Sequence, residues 1–177
     1  MIIQRTSVSS ATPFNLPEVA EHGRLTYPGD QSEVHRLSLA AAREFEDFAQ
    51  IALLDQTIGV TLEEPIRSAM LGLPIAPLVD PLSVDITVDG LAFDAFAVIT
   101  GLRPAIRFTG DKPCGLVVIT YLAGFGATAA AIPDDVRHAV ADQAMAYYEM
   151  RGPGDGKSNG MSPHMARIAA RYRRVAL

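Results

Sequence analysis

Several groups of residues in this 177-residue chain have types and spacings that could do chemistry. Gly156-Lys157-Ser158 matches the end of a phosphate-binding loop, where backbone N–H groups cradle phosphates ahead of a lysine. Such a loop needs a glycine five residues before Gly156, after a strand. Position 151 is Arg151 and the pattern before it is helical, so a linker is the better reading. Gly124-Phe125-Gly126 follows an apolar run and invites a dinucleotide fingerprint. Residue 129 is Ala129, however, and the next helix starts too late, at Pro133, so these glycines read as backbone punctuation. His22, His35, His138 and His164 show no H-E-x-x-H arrangement and no pairwise ligand spacing, so no metal is expected. Cys114 could serve as a nucleophile with a histidine across the fold. A lone cysteine reads more simply as a small buried residue. Glu63-Glu64 and Asp134-Asp135 are neighbours in sequence and look like turn and helix-start residues, not an acid/base pair. No catalytic residue and no cofactor is expected.

A basic stripe near the C-terminus survives this filter. Arg167, Arg171 and Arg174 recur at spacings of four and three, with Arg173 beside them. Met165, Ile168, Ala169 and Tyr172 form a separate apolar stripe on the same segment. Residues 151–177 hold six basic residues against Asp155 alone, a net +5, which leaves −10 for residues 1–150. An acidic body therefore carries a basic tail. Two readings fit: a solvated face whose opposite stripe packs on the body, or a docking element for a partner. Direct binding to duplex DNA is the poorer reading, because the acidic body would repel it.

The elements that must position this stripe follow from periodicity. Residues 1–29 read as irregular, with Pro13, Pro17 and Pro28, apart from a short helix around Leu16–His22. A long helix is expected from Asp30 to about Leu54, opened by an Asp30/Glu33 capping box and carrying Val34, Leu37, Ala41, Phe45, Phe48 and Ala52 on one face. Thr57–Leu62 alternates as a strand, and Leu71–Pro81 is extended. A strand from Leu82 to Val88 meets the turn pair Asp89-Gly90, with Leu91–Ile99 as its return. Ala105–Phe108 is a shorter strand, and Leu116–Leu122 is apolar on both faces and so central or covered. Pro133, Asp134 and Asp135 open a second long helix that stops near Arg151. Gly152, Gly154, Gly156 and Gly160 make residues 152–160 a hinge loop. Ser162-Pro163 then opens a last helix with an N-cap and a proline at its first position. The order predicts an α+β fold, a helical core with an inserted antiparallel hairpin or small sheet. Its expected parts are residues 1–29, a body at 30–151, the loop at 152–160 and a docking helix at 161–177.

Composition narrows the class. Hydrophobic residues make up 49% and charged residues 20%, which excludes wholesale disorder. One cysteine excludes an internal disulfide framework and a multi-cysteine zinc site, and fits a reducing compartment. A net charge of −5 argues against a generic nucleic-acid coat. Met1–Arg5 lacks the apolar core of a signal peptide. The charge-free window between Lys112 and Asp134 is long enough for a membrane span, but Pro113, Gly115, Gly124, Gly126 and Pro133 interrupt it, so no membrane partner is expected.

Four segments, taken in order, resemble the phage head–tail connector (adaptor) family of the HK97 connector and phiE125-like type, which has relatives in gene transfer agents. They are Leu39–Glu46 running on to Ala52–Thr57; Leu73-Pro74-Ile75-Ala76-Pro77-Leu78 ahead of the Val-rich hairpin; Val117–Gly126 with Ile132-Pro133 and the helix ending Tyr147-Tyr148-Glu149-Met150-Arg151; and Arg171-Tyr172-Arg173-Arg174-Val175. Arg171 stands where the family often has proline before the terminal Tyr-Arg. The resemblance implies a non-catalytic virion subunit. It would form a homo-oligomeric ring, a dodecamer, between the portal protein and a stopper or tail-completion protein, with DNA passing through the channel without sequence-specific contacts. It further implies a portal-docking role for Met165, Arg167, Ile168, Arg171, Tyr172, Arg173 and Arg174. The competing classes are a small enzyme using Cys114 or a histidine and an unrelated oligomeric binding module.

Overall fold

The chain passes between strand-rich and helical segments three times, after Ser10, Leu53 and Ala127, and the computed structural model accordingly divides into two units. It describes residues 1–25, 28–150 and 160–173. One unit takes Met1–Ser10 and Leu54–Ala127, the other Ala11–Leu53 and Thr128–Leu177. The fold is α+β.

The first unit holds two antiparallel sheets. β1 (Ile2–Ser7), β2 (Gln56–Leu62), β8 (Val117–Ala123), β4 (Asp85–Val88) and β5 (Leu91–Ala92) form the larger sheet, in the order β1-β2-β8-β4-β5. β3 (Met70–Gly72), β7 (Ala105–Phe108) and β6 (Phe96–Ile99) form the smaller one, in the order β3-β7-β6. β8 is central, as its doubly apolar pattern predicts, and Ile119 lies opposite Val60 on one side and Ile86 on the other. These three side chains are buried and stabilise the sheet by roughly 1.5–3 kcal/mol each. Asp89 and Gly90 take φ of 50° and 82°, the two positive values that a tight type I′ hairpin requires. The Asp89 carboxylate also accepts the Leu116 N–H at 2.9 Å, tying the turn to the start of β8.

Three strand expectations are corrected. Ile2–Ser7 is an edge strand where composition suggests irregular chain, paired from Ile2 opposite Thr61 to Ser7 opposite Gln56. Its side chains are mostly exposed, so its alternation is faint in sequence. The strand expected from Leu82 begins only at Asp85. Asp80 instead accepts the Leu82 N–H on its carboxylate at 2.8 Å and the Ser83 hydroxyl on its carbonyl at 2.6 Å, fixing a short 3-10 turn. The single return strand Leu91–Ile99 is cut in two, because the chain turns at Asp94, whose carbonyl accepts the Phe96 N–H at 2.8 Å. Phe93 packs edge-on against Phe108, and the segment after it joins the other sheet.

The second unit is helical: α1 (Leu16–His22), α2 (Gln31–Ala49), α3 (Asp134–Glu149) and α4 (Pro163–Tyr172). α2 packs against each of the other three, and α3 packs against α1 and α4. Val34, Leu37, Ala41 and Phe45 of α2 are buried with Val136, Ala139, Val140 and Ala144 of α3. The side-chain cap expected of Asp30 on α2 does not form. Asp30 makes no side-chain cap bond; its carboxylate accepts the Tyr148 hydroxyl, and Arg36 holds Glu33 at 2.6 Å. α2 ends at Ala49, short of the expected Leu54. Gln50 turns left-handed at φ 57°, and the Glu46 carboxylate then accepts the Leu53 N–H at 2.7 Å.

Candidate functional site

The C-terminal helix is built as its sequence predicts. The Ser162 hydroxyl accepts the Met165 N–H at 3.1 Å and Pro163 occupies the first turn. A buried side chain on α3 holds this start in place: Gln143 accepts the Ser162 N–H at 2.7 Å and donates to the Gly160 carbonyl at 3.4 Å.

The structure separates the expected docking residues into two sets. Met165, Ile168 and Ala169 are 0%, 3% and 0% exposed and belong to the core of the helical unit. Tyr172 is half-buried; its ring meets Phe45 edge-on and its hydroxyl donates to Asp135 at 3.1 Å. Burial, and then the Asp135 carboxylate, push that hydroxyl above the ordinary tyrosine value. Arg167, Arg171 and Arg173 are exposed. Arg171 lies 3.6 Å from Asp135, and the Arg173 guanidinium sits 5.0 Å over the Phe48 ring. Arg174 and the hinge residues Gly152, Gly154 and Gly156 lie outside the described residues, while Gly160 is exposed. The exposed part of α4 is thus a cationic face backed by a spent apolar one.

Sequence reasoning missed a second constellation. Asp142 on α3 gathers three histidines from three helices. His22 Nε2 of α1 donates to one carboxylate oxygen at 2.7 Å, and His164 Nδ1 of α4 to the other at 2.5 Å. His138 Nδ1 of α3 is 3.7 Å from the carboxylate. The His138 ring lies edge-to-face with those of His22 and His164, at 5.1 and 5.2 Å between centroids. Partial burial works to raise the Asp142 carboxyl, but the bonds from His164 and His22 and the nearness of His138 outweigh it and hold it below the ordinary value. The legible trace was the four-residue spacing of His138 and Asp142 on a predicted helix.

The remaining sequence candidates come apart. Cys114 is exposed, contrary to its expected burial, because the loop ahead of β8 turns it outward between buried Pro113 and half-buried Gly115. It belongs to the sheet unit and all four histidines to the helical one, so neither unit holds a Cys–His pair. Glu63 and Glu64 are exposed just past β2. Gly124 has φ of 151°, and a Cβ there would stand 2.6 Å from the Asp55 nitrogen, so it is punctuation with a steric reason. Among the described residues no helix is long and apolar enough to cross a membrane.

No protein-family model and no curated protein matches the chain. Solved structures do. A chain in the virion of a native gene transfer agent particle is 24% identical, with a TM-score of 0.80 over 100% of this chain and 97% of that one. Chains from the neck of an empty such particle, computed with C6 symmetry, and from the neck of a native one, computed with C12 symmetry, are each 24% identical with a TM-score of 0.78 over the same shares. At that identity the likeness is one of fold, and it runs the full length of the chain: the α+β arrangement of helices and paired sheets described above is the fold of those particle chains.

Proposed function

We propose that the protein is a structural subunit of a virion neck in a phage or phage-like particle, a head–tail connector that assembles into a ring around the DNA channel and catalyses no reaction. The observation that carries this reading is the end-to-end fold likeness to chains of gene transfer agent particles, with TM-scores of 0.78 to 0.80. The C6 and C12 symmetries used for those necks suit a multi-subunit ring, of which a dodecamer is the simplest form. A net charge of −10 over residues 1–150 suits a channel wall that lets DNA pass, because repulsion prevents tight phosphate contacts.

In this reading the ring sits between the portal protein and a stopper or tail-completion protein. Portal docking falls to the exposed Arg167 and Arg171 of α4 and Arg173 just past its end, with half-buried Tyr172 beside them, and to Arg174 by its sequence position. Met165 and Ile168 act indirectly, by fastening α4 to α2 and α3. In the same reading Gly152, Gly154, Gly156 and Gly160 are the hinge positions ahead of the docking helix, assigned from sequence. Arginines at a polar rim steer association and set its salt dependence. Co-sedimentation of the purified protein with rings of the cognate portal protein tests this. Binding that weakens with added salt is expected; no co-sedimentation at low salt contradicts the docking assignment.

A further inference from the structure

We infer that His22, His138 and Asp142 form a binding site for a divalent transition-metal ion of the zinc type, independent of any role in a neck ring. One ligand atom from each of the three residues lies within 4.8 Å of the others. A tetrahedral zinc ion takes imidazole nitrogen and carboxylate oxygen at about 2.0–2.2 Å, which sets its ligand atoms about 3.3 Å apart. His22 Nε2 and its carboxylate oxygen, now 2.7 Å apart, need to open by about half an ångström, and the wider pairs need to close by less than about 1.5 Å. All three side chains lie at the surface of the helical unit, where rotation about their side-chain bonds supplies such shifts without moving the backbone. Two imidazoles and one carboxylate are a donor set that suits zinc and excludes the oxygen-seeking magnesium and calcium ions.

His164 completes the arrangement without being a ligand. Its Nδ1–H holds an Asp142 oxygen at 2.5 Å, the outer bond that fixes the orientation of a ligating carboxylate. Binding displaces the proton His22 Nε2 now donates to Asp142, so the ring shifts to the tautomer protonated at Nδ1. Three protein ligands leave a fourth position for water. The ion would clamp α1 to α3 directly and support α4 through Asp142 and His164.

The test uses the full chain, free of any affinity tag and stripped with a chelator, titrated with zinc chloride by calorimetry at neutral pH. One equivalent with micromolar affinity is expected, with a rise in melting temperature that a chelator reverses. His138→Ala and Asp142→Asn should abolish saturable binding, and His164→Ala should weaken it by about 10-fold or more. His35→Ala, which alters the histidine packed on Phe14, should bind as wild type. Absence of stoichiometric binding, or wild-type affinity in His138→Ala, overturns the site. Cobalt(II) offers a reading that depends on no variant. Intense visible absorption of a four-coordinate ion supports the geometry, and the pale spectrum of the hydrated ion contradicts it.

Discussion

Tyr121 carries more of the sheet unit than its place in an apolar run suggests. It is 1% exposed, and its hydroxyl both accepts the Ile75 N–H and donates to the Ile75 carbonyl, each at 3.0 Å. Tyr121→Phe leaves those two buried backbone groups unpaired and should cost about 1–3 kcal/mol in urea unfolding. Burial pushes the Tyr121 hydroxyl far above the ordinary tyrosine value, more than the Ile75 bond and the Arg5 charge lower it. The unfolded chain ionises this group near pH 10 and the folded chain does not, so the stability it supplies is whole below about pH 10 and is lost as pH rises beyond it, by up to about 1.4 kcal/mol per pH unit. Unfolding midpoints measured from about pH 8 to pH 11 should fall for the wild type and fall less steeply for Tyr121→Phe. None of this was legible in sequence, because alternation marks a residue as inward-facing but does not name the carbonyl that its hydroxyl reaches. Of the Asp142 cluster only the His138/Asp142 spacing was legible, because its members lie at positions 22, 138, 142 and 164 and meet only when three helices pack.

At the scale of elements, the legible features were those with local causes. Asp89-Gly90 predicted its hairpin, Ser162-Pro163 its helix start, and the doubly apolar Leu116–Leu122 the central place of β8. What failed depended on distant partners. The edge strand Ile2–Ser7 exists because β2 offers it a free edge, and the return strand breaks because its second half finds β7. The Asp30 cap is lost because its carboxylate takes a tyrosine hydroxyl from α3. The C-terminal stripe was read correctly as two-faced, but which face would be spent on the fold was a tertiary fact. Two substitutions separate local from tertiary support for α4. Ser162→Ala removes the cap and should cost about 1 kcal/mol. Met165→Ala opens a cavity at a site 0% exposed and should cost about 2–5 kcal/mol. Thermal denaturation of both checks the order; a costlier loss at Ser162 would mean that α4 is held by its own turn and not by α2 and α3.

For the whole molecule, the charge split is the feature that joins sequence to proposed role. Shape is kept at 24% identity because the α+β layout rests on pattern and burial, whereas docking chemistry rests on surface residues free to change. Arg167→Glu changes only an exposed side chain. It should leave the melting temperature within about 1 °C. Its affinity for portal rings should fall roughly three- to ten-fold, most at low salt, as binding measured across a salt series would reveal. An unaltered affinity would move docking away from α4. The ring itself is the central claim, and electron microscopy of the purified protein mixed with portal rings tests it most directly. A second ring of this protein, coaxial with the portal and matching its symmetry, is the predicted image. Bare portals beside monomeric protein, at concentrations well above micromolar, would contradict the account.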